Sequence, residues 1–145
     1  MKPNDQTDML YRKIYKNAAM GLGTTDHLLK TNRGKELSDS LRFQQAEYTA
    51  ICKNVKHRMD DRGKRVKGLS LMEQMRTDGM LSFNLMMDGS DSHVAQMMMT
   101  GSTMGIINAE KELNNYPDAD PYAKALMRHL SDFERETLDK MKEFL

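Results

Sequence analysis

Uninterrupted helical periodicity is what most restricts this chain. Its prolines are Pro3, Pro117 and Pro121, and all of them lie outside the long periodic segments. No helix interior therefore loses a backbone donor or meets a pyrrolidine ring. Apolar residues recur at three- and four-residue spacing, which gathers them on one helix face. No segment alternates with period two for long enough to suggest a strand, so an all-α fold without a sheet is expected.

The spacing predicts a single helical domain over residues 1–145, with helices at about 5–30, 35–62, 71–87, 92–115 and 121–145. The first carries Leu10, Ile14, Ala18, Gly21, Thr25 and Leu28 on one face. Gly21 and Gly23 weaken it by roughly 1 kcal/mol each relative to alanine, as at a close helix crossing or a kink. The second has Leu37, Leu41, Gln44, Tyr48, Ile51, Val55 and Met59 as its inward stripe, and Gly63 as its natural stop. A basic linker follows, then a capping box made by Ser70 and Glu73. The box opens a short amphipathic segment with Met72, Met75, Phe83 and Met86. Asp91 or Ser92 is expected to cap the next helix, whose face is Ala95, Met98, Ser102, Gly105, Ala109 and Leu113. The last helix begins with Asp120 as N-cap and Pro121 at N1, and continues through Leu126, Leu130, Phe133, Thr137, Met141 and Phe144.

Charge and cysteine content exclude several classes. With 22 Lys and Arg against 21 Asp and Glu, net charge is +1, which speaks against a dedicated nucleic-acid binder. The stretch from Lys53 to Lys67 holds seven basic residues. Much of it ends a helix, where cations meet the favourable end of the dipole. Cys52 is the single cysteine, so no intramolecular disulfide forms, and its apolar neighbours Ile51 and Val55 predict a buried, inert thiol. The first residues lack the apolar stretch of a signal peptide. No run reaches the ~18 apolar residues of a membrane span. A cytoplasmic chain is expected.

Short turns join the first two helices and the last two, which predicts two antiparallel hairpins. The connection between the hairpins is far longer than a bundle turn. A four-helix bundle with one long crossover containing a short helix is the ferritin-like arrangement. The segments Ser92-His93-Val94-Ala95-Gln96-Met97-Met98 and Gly101-Ser102-Thr103-Met104-Gly105-Ile106-Ile107, with the amphipathic tail from Ala125 to Leu145, resemble those of small bacterial ferritin-like domains of unknown function. The resemblance implies the fold and no activity. The last two helices are also similar to a ferritin-like family associated with copper handling. That family has a His pair where Gly101-Ser102 stands and a Glu where Thr137 stands, so its copper ligands are not carried over.

A di-iron centre of the ferritin type needs two Glu-x-x-His motifs and two further carboxylates. No Glu-x-x-His occurs: Ala50 follows Glu47 at that spacing, Leu113 follows Glu110 and Thr137 follows Glu134. The central positions offer Thr25, Gln44, Tyr48, Ser102 and Thr137 instead, which are hydrogen-bonding groups. Glu47, Glu110 and Glu134 are expected on the surface or flanks in ordinary charge pairs. If a metal binds through non-standard ligands, the candidates are Glu47, Glu110, Glu134, His93 and His129, with iron, manganese or copper as cofactor. The fifteen methionines read as adaptable core filler. Gly101, Ser102 and Gly105 form a small-residue face, suited to tight packing or a dimer seam.

No catalytic constellation is present, and no cofactor is expected on the leading reading. That reading is a non-enzymatic bundle that self-associates or binds a protein partner through Met72, Met75, Phe83 and Met86. The alternative is a metal-binding or redox protein of ferritin-like type.

Overall fold

The computed structural model describes residues 1–30, 34–66 and 89–145. These contain four long helices and no strand: α1 (Pro3–Leu29), α2 (Lys35–Asp61), α3 (Asp91–Asn115) and α4 (Pro121–Met141), followed by a single 3-10 turn (Lys142–Phe144). The expected segment at 71–87, its Ser70–Glu73 capping box and the surface formed by Met72, Met75, Phe83 and Met86 lie outside the described residues. None of the described helices is long and apolar enough to cross a membrane.

Local chemistry sets the helix ends. Pro3 opens α1, two residues earlier than its periodicity suggests, because proline at the first position loses no helical hydrogen bond. At the end of α2, Gly63 takes φ +70°. There the Lys64 N–H reaches Met59 O at 2.9 Å and the Gly63 N–H reaches Asp60 O at 2.9 Å, a Schellman stop as the glycine predicts. The cap of α3 is Ser90 rather than Asp91 or Ser92. Its hydroxyl accepts the His93 N–H at 3.1 Å, because Ser90 has the extended backbone of an N-cap while Asp91 is already helical.

Contacts at the two ends fix the helix directions. At one end, the Arg62 guanidinium at the close of α2 pairs with Asp8 of α1 at 2.7 Å. Asn54 of α2 donates to the Tyr122 hydroxyl of α4 at 2.9 Å. At the other end, Leu28, Leu37, Leu41, Val94 and Met141 share one apolar cluster. So α1 and α4 run one way, and α2 and α3 the other. Val66 and Gly89, which flank the undescribed stretch, accordingly belong to opposite ends of the bundle.

The core is divided. One cluster includes Leu10, Ile14, Ile51, Val55, Met127 and Leu130; the other is the cluster around Leu41 and Met98. Each fully buried Leu or Ile contributes about 1.5–3 kcal/mol by leaving water. Between the clusters, every helix places a buried polar side chain: Thr25, Gln44, Ser102, Glu134 and Thr137.

A polar clasp ties the start of α1 to the turn between α3 and α4. The Thr7 hydroxyl donates to Pro3 O at 3.0 Å and accepts the Asp120 N–H at 2.8 Å. Gln6 Oε1 accepts the Asp118 N–H at 2.9 Å. The N-cap position of Asp120 makes no side-chain cap bond, so tertiary contacts rather than its carboxylate hold this turn. Thr7→Val keeps the shape and removes the acceptor. Urea unfolding should show a loss of about 1–3 kcal/mol for the stranded N–H, with an unchanged m value.

Candidate functional site

The polar layer opens on one side into a cavity of about 670 Å³ between α1 and α3. Tyr48 of α2, Ser102 of α3, and Met127 and Glu134 of α4 form its buried floor. Met20, Met97, Met98 and Met104 line the walls. Lys13 and Lys16 of α1 and Glu112 of α3 complete the lining; Lys16 is exposed, whereas Lys13 and Glu112 are half-buried.

Glycines shape the floor. A Cβ on Gly105 would overlap the Glu134 carboxylate, and a Cβ on Gly21 would overlap the phenol end of the Tyr48 ring. The small residues of α1 and α3 therefore receive large side chains from α2 and α4. Gly21 is a close approach rather than a kink, since α1 runs unbroken through it. Asn17 spans the two walls by donating to Gly105 O at 3.1 Å. Gly101 differs from both. None of the described residues lies within 4 Å of where its Cβ would be; it is exposed and stands at the rim of the cavity.

Glu134 overturns the expectation of a flank residue in a charge pair. It is 2 % exposed, and its Oε1 has no hydrogen-bond partner among the described residues. It lies four residues after Leu130 and three before Thr137, which places it on the inward stripe of α4. Burial away from water penalises the charged form and pushes its pKa up to about 8. Most of the population is therefore neutral at pH 7, and a neutral carboxyl offers a hydrogen-bond donor as well as an acceptor. Burial, and secondarily the negative charge that Glu134 carries when ionised, raise the Tyr48 pKa far above its usual value. Tyr48 packs edge-on against Phe133, with ring centres 5.2 Å apart.

The other candidate ligands are not brought to this point. Glu47 of α2 meets His129 of α4 at 2.6 Å in an exposed pair. Glu110 is exposed and pairs with Arg135 at 3.2 Å. His93 lies in the first turn of α3, at the far end from His129. Among the described residues, no group of three or more His, Cys, Asp or Glu is arranged to hold a metal ion. Cys52 is buried, as its apolar neighbours predict.

Comparisons with protein-family models, curated proteins and solved structures give no match.

The glycines make opposite predictions. Gly105→Ala should destabilise the protein, because the carboxyl beneath it must shift. Gly101→Ala should stabilise it by up to about 1 kcal/mol through helix propensity. Thermal unfolding of the two variants against the parent reads the difference.

Glu134 also predicts a pH signature. The folded chain keeps this proton between about pH 4.5 and 8, where the unfolded chain has released it. Stability conferred by the folded state must then fall as pH rises through that window, by at most about 1.4 kcal/mol per unit. Glu134→Gln lacks this loss. Its stability relative to the parent should rise across the window in denaturant titrations, and a flat difference would contradict the assignment.

Proposed function

We propose that this chain is a ferritin-like bundle that holds a small, largely apolar molecule at its centre, with Glu134 as the polar anchor, and that it carries out no chemistry on it. The carrying observation is the buried Glu134 carboxyl, its Oε1 without a hydrogen-bond partner among the described residues, at the floor of an open methionine-walled cavity. Ligand cavities of about 300–1,000 Å³ combine this apolar lining with a few converging polar groups. Leaving a buried oxygen unpartnered costs about 1–3 kcal/mol, and a ligand that bonds to it recovers that loss.

The helix directions and the divided core support the ferritin-like part of the reading. The metal pair implied by that fold does not fit these residues. Such a centre draws four carboxylates and two histidines inward, whereas among the described residues this layer holds one carboxylate beside Thr25, Gln44, Tyr48, Ser102 and Thr137. Methionine walls suit an organic guest, because the unbranched thioether side chain repacks around different shapes.

The test uses a neutral fluorescent probe, N-phenylnaphthylamine, and a variant that fills the cavity. Gly101→Phe adds a ring at a lining position whose Cβ meets none of the described residues. The parent should bind the probe with enhanced emission, and Gly101→Phe should lose at least tenfold in affinity while staying as stable as the parent. Equal binding by both proteins, or none by the parent, would overturn the proposal.

A further inference from the structure

The chemistry of the cavity floor identifies the class of molecule, on the premise that the cavity is a ligand site. Among the described residues its ionisable groups are Glu134 and Tyr48, and both are acids. These residues leave the floor neutral or negative. A carboxylate or phosphate seated on them would be desolvated with none of them to supply a cation. A neutral alcohol or ketone would gain one ordinary hydrogen bond. An ammonium would gain a charge-assisted bond to the carboxylate, roughly twice as strong as a neutral one. Among the described residues, Lys13 and Lys16 come to the cavity from α1, Glu112 from α3 and Tyr48 from α2. Glu112 Oε2 is buried with no hydrogen-bond partner among them. The Glu110–Arg135 pair is exposed to solvent instead.

We propose that the cavity binds a monoamine with an apolar body, its ammonium seated on Glu134 and its hydrocarbon against the methionines, and that one proton leaves the carboxyl for solvent as the ammonium docks. The exchange is balanced. The Glu134 O–H bond breaks, the proton goes to water, and the arriving ammonium supplies the compensating charge.

Titration calorimetry with octylamine, octanol and octanoate tests this, run at pH 7 in two buffers of different ionisation enthalpy. Octylamine should bind at least tenfold more tightly than the other two. The difference between buffers should report release of close to one proton per amine. Affinity for octylamine should rise from pH 6 to pH 8, and Glu134→Gln should lose both the amine preference and the proton release. Should Glu134→Gln fail to fold, the buffer comparison on the unmodified chain and the loss of octylamine binding in Gly101→Phe decide the matter. Octanol or octanoate binding as tightly as octylamine would overturn the inference, as would amine binding without proton release. If the neutral naphthyl probe binds and the amine is not preferred, the inference alone fails; if neither binds, the cavity reading fails with it.

Discussion

The Glu134 carboxyl is almost wholly buried with no cation paired to it among the described residues, and the centre of the bundle is arranged around that constraint. An ionised carboxylate so placed would meet a large desolvation cost, so the group stays protonated through neutral pH. The room it needs comes from the opposite helix, where Gly105 has no side chain to occupy the same volume. Tyr48 fills the adjoining space above Gly21. The glycines and the two large polar side chains thus form one unit, with small residues on α1 and α3 and large ones on α2 and α4.

Stability for such a centre comes from its flanks. Fully buried Leu10, Ile14, Val55 and Leu130 pack on one side of the polar layer, and Leu28, Leu37, Leu41 and Met141 on the other. The Thr7–Asp120 and Arg62–Asp8 contacts lock one end. A polar layer between two apolar clusters is tolerable because the clusters hold the helices in register independently of it. Gln44 extends the same pattern, with its Oε1 buried and unpartnered and its Nε2 only 3.4 Å from the Ser40 hydroxyl.

Much of the fold is legible in the residues. Apolar spacing placed the four long helices within a few residues of their ends, because periodicity reports the buried face directly. Of the inward residues it named, Gly21, Leu113 and Phe144 are only half-buried and the others are buried. Gly63 was readable as a helix stop because few residues other than glycine adopt its left-handed backbone. Ser90 was missed because three neighbouring residues, Ser90, Asp91 and Ser92, can all act as caps. The site was half legible. Helical spacing gathers Thr25, Gln44, Tyr48, Ser102 and Thr137 into a central polar set, whereas the charge on Glu134 points it to the flank, because a charged residue is seldom fully buried unpaired. Its signal lay in the spacing Leu130, Glu134, Thr137 and in the small residues of α3, whose purpose becomes clear only when the carboxyl is seen to fill them. The cavity itself depends on how far α1 and α3 stand apart, which no local pattern encodes.

A neutral carboxyl at the centre of the bundle is the claim on which the rest stands. The most direct measurement is a carbon NMR titration of the chain carrying labelled glutamate, with Glu134 assigned by comparison with Glu134→Gln. A carboxyl signal for Glu134 that titrates near pH 8, separate from the other glutamates, is the result this account predicts. Titration together with the exposed glutamates near 4.5 would contradict it, for Glu134 would then be solvated or paired and the floor of the cavity a different chemical surface.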